Sequence, residues 1–152
     1  MKQAGWRSEK LGFELFERAA EANGSFLKAE QLVEAAGGDD PLRGPGYLLT
    51  FDIGRILVAA DRGKACLSIR QVMSLEDMAS IRLLALDEEE PWWRVAGHPI
   101  TGAWPSEGGS GATIGDAQVS GLGMQFRGEG ENPRVIFLRY DDGAVHVGLH
   151  PQ

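Results

Sequence analysis

Between Ser8 and Gly24 the apolar positions Leu11, Leu15, Phe16, Ala19 and Ala22 recur at helical spacing. Phe13 and Ala20 sit at the margin of that stripe, and Lys10, Glu14, Glu17, Arg18 and Glu21 lie opposite. The pattern predicts an amphipathic helix. Ser8 is suited to cap its first amides, Glu14 and Arg18 stand in the favourable i,i+4 order, and Asn23-Gly24 offers residue types that adopt the left-handed conformation closing a helix. From Ser25 onward, Phe26, Ala29, Leu32, Val33 and Ala36 continue the helical spacing up to Gly37-Gly38. A second helix is predicted there, and with it a helical hairpin over residues 1–37.

The stretch from Gly37 to Gly46 contains Asp39-Asp40-Pro41 and Gly44-Pro45-Gly46, which break helix and strand alike. Beyond it the period falls toward two. Tyr47, Leu49, Phe51 and Ile53 share one face and an apolar run covers Ile56 to Ala60, favouring strands, although Leu48, Phe51 and Ile56 also tolerate a helix. Asp61-Arg62-Gly63-Lys64 reads as a tight turn into a strand from Ala65 to Val72. Ser74 with Leu75-Glu76-Asp77 can open one helical turn before a strand from Ile81 to Leu86. After Asp87 to Glu90, Pro91 interrupts the chain and extended patterns resume over Trp92 to Ala96 and Ile100 to Trp104, with Pro99 favouring a sheet edge or bend. Pro105 to Gly115 is too rich in glycine for regular structure.

The clearest local signal is Asp142-Gly143 between Arg134 to Tyr140 and Ala144 to His150, a residue pair that suits both positive φ angles of a type I′ hairpin turn. Counting outward pairs Tyr140 with Val145, Leu138 with Val147 and Ile136 with Leu149 on a core face, and Arg139 with His146 and Phe137 with Gly148 on the other. Gln118 to Arg127, alternating through Leu122, Met124 and Phe126, is expected beside it. These elements predict an α+β fold, a helical hairpin packed on a mostly antiparallel sheet of about six to eight strands. The whole of 1–152 is expected to be one domain, with a helical subregion 1–37 and a β-rich subregion 46–152.

Composition narrows the function classes. A chain of 152 residues with 43% hydrophobic and 24% charged side chains is ordinary for a globular domain. No stretch approaches the ~20 apolar residues that span a bilayer, and Met1 to Lys10 lacks a signal-type apolar run. The lone Cys66 suits a reducing compartment, so a cytoplasmic protein is expected. A net charge of -7 repels phosphate backbones and attracts basic partners, which disfavours nucleic acid as a ligand. Ala29 to Gly37 resembles the first helix of a helix-turn-helix, but no groove-entering helix follows Gly38.

Catalytic and cofactor signatures are sparse. Gly109-Ser110-Gly111-Ala112-Thr113-Ile114-Gly115 puts its last glycine one place too late for a dinucleotide loop, and no phosphate-loop lysine or nucleophile elbow occurs. His146 and His150 share a strand face but stand about 13 Å apart, too far for one ion. Cys66 reads as a small buried hydrophobe, and Asp87 to Glu90 as solvated charge. No metal or other cofactor is therefore expected. The one constellation above this background is Glu88, Glu89 and Glu90 with Trp92 and Trp93, and with Trp104 bordering it. Adjacent strand residues face opposite ways, so one of the paired indoles can be buried while the other is exposed as an anchor, with the acids steering a basic partner. Core packing of all three indoles, the ordinary fate of tryptophan, carries more weight than that reading.

Three function classes follow in order of weight. First is a non-catalytic protein-binding role, of inhibitor, immunity or assembly-accessory type. A small-ligand or glycan-binding domain using the indoles is second, and an enzyme whose site is assembled only by the fold is third.

Overall fold

The structure, a computed structural model, describes residues 14–33, 40, 42–63, 65–72, 82–86, 88–89, 91–105, 121–127 and 134–148. Among the described residues one α-helix, α1 (Glu14–Glu21), precedes ten strands: β1 (Phe26–Val33), β2 (Arg43–Gly44), β3 (Gly46–Phe51), β4 (Gly54–Asp61), β5 (Cys66–Val72), β6 (Arg82–Ala85), β7 (Ile100–Pro105), β8 (Gly121–Phe126), β9 (Arg134–Asp141) and β10 (Ala144–Gly148). They build two five-stranded antiparallel sheets, ordered β5-β4-β3-β1-β6 and β2-β10-β9-β8-β7. Leu49, Val58 and Leu67 of the first sheet and Leu122, Leu138 and Val147 of the second meet in one shared core. Alternation along a strand is the same whichever sheet receives it, so the expected single sheet of six to eight strands is corrected, among the described residues, to two sheets and ten strands.

Helix α1 buries Leu15, Phe16 and Ala19 and packs against β7 and β5, strands of different sheets. Its end follows the residue types present. Asn23 takes φ 52, its amide donates to the Ala20 carbonyl and the Gly24 amide to that of Ala19, the paired bonds of a Schellman motif. The expected Ser8 cap and Leu11 lie outside the described residues.

The second helix of the expected hairpin is a strand. β1 lies between β3 and β6, and its ladder to β3 carries a bulge in which the step from Phe26 to Lys28 opposes the single step from Phe51 to Thr50. The extra residue, Leu27, shifts the alternation, so Phe26 and Ala29 both enter the core although they are three apart. A three-residue apolar spacing produced by a bulge is indistinguishable in sequence from a helical turn.

The later expectations fare better. Tyr47 to Ala60 forms β3 and β4, turning at Asp52-Ile53, which leaves Ile53 exposed and not on the face of Tyr47. β5 follows the turn after Asp61. β7 is an edge strand, as Pro99 suggested. The β9–β10 hairpin has the expected register, Tyr140 with Val145, Leu138 with Val147, Arg139 with His146 and Phe137 with Gly148. Its turn residues take φ 51 at Asp142 and 84 at Gly143. The pairing of Ile136 with Leu149, the turn at Ser74 to Asp77 and the glycine-rich tract 106–115 lie outside the described residues. No described helix is long and apolar enough to cross a membrane.

Candidate functional site

The acidic and tryptophan-bearing segment occupies the crossover from β6 to β7. Trp92 to Ala96 is not extended: Trp92–Arg94 form a 3-10 turn after Pro91. Three residues per turn eclipse positions i and i+3, so Trp92 and Val95 point inward together, each 1% exposed, while Trp93 is rotated outward and is 48% exposed. The exposure of Trp93 overturns the weightier expectation that all three indoles are core and fits the other reading, one buried and one exposed, but the cause is this turn and not strand alternation. Pro91 fixes the entry, and Gly97 at φ 86 makes the exit, with its amide donating to the Phe26 carbonyl at 2.7 Å.

The turn is held as a unit. The Leu86 amide donates to the Ala29 carbonyl at 3.0 Å, the Glu89 amide to Leu86 at 3.0 Å, the Trp93 amide to Glu89 at 3.1 Å, and the Val95 amide to Trp92 at 3.1 Å. Beneath it Trp92 joins an aromatic cluster, 5.8 Å from Phe26 and 6.0 Å from Tyr47 between ring centres, and Phe26 in turn lies 5.6 Å from both Phe51 and Phe126. The buried Trp92 Nε1 finds no hydrogen-bond partner. Trp92 is therefore a core residue and offers no face to a partner.

What remains at the surface is the Trp93 ring with the Arg94 guanidinium 4.6 Å above its centre, beside the exposed Glu88 and Glu89. The cation over the ring restrains an indole that burial does not restrain. Arg94 was missed in sequence because its role depends on the turn geometry. Glu90 lies outside the described residues. Trp104 belongs elsewhere, on the outer face of the second sheet, along β7 beyond the bulge between Ile100 and Gly102 and opposite Gly123. Its indole covers Gly123, where a Cβ would stand 2.6 Å from the ring, and meets Phe137 edge-on at 6.1 Å. It fills the space left by a strand glycine.

A second polar feature sits inside the protein. Gln31, 3% exposed, donates through Nε2 to the Asp40 carbonyl at 2.8 Å and to the Tyr47 hydroxyl at 3.2 Å. Burial pushes the Tyr47 phenol far above its ordinary value, the Gln31 hydrogen bond opposes that rise, and the Asp40 charge adds to it. A neutral phenol held by an amide is a structural pairing. Among the described residues no three His, Cys, Asp or Glu side chains converge as metal ligands. The chain matches no family model, no curated protein and no solved structure.

Proposed function

We propose that this chain is a small, acidic, non-catalytic protein-binding domain, and that the β6–β7 crossover is part of its contact surface. The observation that carries the reading is Trp93, a half-exposed indole on a turn anchored from below by Trp92 and Val95. Large rigid aromatic side chains dominate interface energies when desolvated, and a turn already ordered loses little conformational freedom on binding. Glu88 and Glu89 are exposed in the same crossover and give it the sign that draws a basic partner.

The test separates the two roles. A protein retained by the wild-type chain is measured against Trp93→Ala and against the triple variant Glu88→Gln, Glu89→Gln, Glu90→Gln. Trp93→Ala should speed dissociation at a cost of about 2 kcal/mol or more, whereas the triple variant should slow association and flatten its salt dependence. A partner whose association and dissociation are unchanged in both variants, with the fold intact, removes this surface from the proposal.

A further inference from the structure

At the opposite end of the first sheet from Trp93, where β4 turns into β5, an open groove of about 420 Å³ is lined by Leu57, Ala59, Asp61, Arg62, Ser68 and Arg70. Its volume falls within the range of small-molecule sites. Register explains its construction. Leu57 pairs with Arg70 and Ala59 with Ser68, so the outer face of β4 supplies apolar floor while β5 supplies a hydroxyl and a guanidinium. Pro45 closes one side from the link between β2 and β3, and Gly143 borders the groove from the hairpin turn of the second sheet.

The charge in this groove is unequal. Arg62 is fixed in place, its Nε donating to the Gly143 carbonyl at 2.9 Å. The Asp61 carboxylate leans over the β4–β5 turn, where its Oδ1 would lie 3.5 Å from a Cβ on Gly63. Two guanidinium side chains and a serine hydroxyl thus border an aliphatic floor, with the single carboxylate of Asp61 also on the lining. A guanidinium offers a planar fork of donors that matches a carboxylate, and an aliphatic floor favours a ligand with an apolar body. We propose that this groove binds small organic carboxylates, with Arg70 receiving the anion, Ser68 donating to it and Leu57, Ala59 and Pro45 taking the hydrocarbon portion. The site is independent of the Trp93 surface and does not rest on it.

Amide chemical shifts of the full chain, titrated with sodium hexanoate, test the assignment. Hexanoate should bind with a dissociation constant of about 1 mM, as expected for so small a ligand, and shift the amides of Ala59, Ser68 and Gly143. Arg70→Gln, an exposed change that leaves the Arg62 contact to Gly143 in place, should weaken binding about tenfold. Ser68→Phe, on an edge strand, should occlude the groove, and its thermal melt reports whether the fold survives. Hexylammonium shares the apolar body with the opposite charge and should leave these amides unmoved. Equal binding of hexylammonium, shifts confined to other regions, undiminished affinity in Arg70→Gln or no shift with hexanoate would each overturn the proposal.

Discussion

The two ends of the sandwich are held by different physics. At the Trp93 end, Phe26 gathers Phe51, Trp92 and Phe126 from three other elements, and Phe16 of α1 reaches Phe51 at 6.5 Å. Burial does the holding there, helped by edge-to-face ring contacts that add about 0.5–1.5 kcal/mol each. At the Gly143 end, the hairpin turn presents backbone carbonyls and carboxylates that burial cannot satisfy. Arginines meet them instead: Arg62 donates to Gly143, Arg43 donates to the Asp142 carbonyl at 3.3 Å, and Arg43 bridges Asp141 at 2.9 Å. The difference teaches why each end can carry a surface feature. A buried anchor lets its neighbour Trp93 stand in solvent, and directional stitches between two turns leave an open groove beside them.

The largest effect should come from removing the anchor. Trp92→Ala is expected to cost about 3–5 kcal/mol in denaturant melts, while Trp93→Ala costs under about 0.5 kcal/mol. Comparable losses for the two would erase the distinction between anchor and surface residue. Leu138→Ala lies between the ends, on the core face of β9, and should cost about 2–5 kcal/mol; a loss below about 1 kcal/mol would contradict its burial. Smaller still is the effect at the hairpin turn. Gly143→Ala forces a side chain into the φ of 84 that glycine adopts there and should cost about 1–2 kcal/mol, with Arg62→Ala costing about 0.5–1.5 kcal/mol through the lost hydrogen bond. An Arg62→Ala melt coincident with wild type would show that the two sheets need no such stitch.

Tyr47 gives the comparison a pH axis, and the least effect near neutrality. Its folded pKa is raised, so the unfolded chain loses the phenolic proton first. The contribution is complete below about pH 10, the ordinary tyrosine value, and is lost as pH rises from there toward the folded value. Wild-type stability should decline above about pH 10, and the decline should be shallower in Tyr47→Phe. Parallel pH profiles for the two proteins would contradict the burial of a neutral phenol.

Legibility followed the range of the interaction. Asp142-Gly143 requires positive φ at two adjacent positions, and a two-residue turn imposes one register, so the partners of Leu138 and Arg139 could be counted from it. The hydrophobic patterns of β5 and β8 declared strands for similar local reasons, and those of β3 and β4 favoured strand while leaving helix open. β1 did not, because its bulge at Leu27 reproduces helical spacing and is defined only against β3. The candidate surface was legible in part: the separation of Trp92 from Trp93 was one reading, weighed below core packing of all three indoles, and the turn that causes it, the Arg94 cation over the ring and the departure of Trp104 to another face were not foreseen.

The sequence by itself determined the turns after Asp61 and at Asp142-Gly143, the alternation of β5, β8 and β9 into a core, the helix end at Asn23 and the hairpin register, since each depends on backbone conformations and neighbours a few residues away. Only the tertiary structure decided that the strands divide between two sheets, that β1 is a strand at all, and that Arg62 meets Gly143 across a gap of 81 residues. The physical reason is that alternation specifies which side of a strand is apolar and not which strand will cover it. That choice is made by the summed burial of both sheets around Phe26, a quantity that no local window of the chain contains.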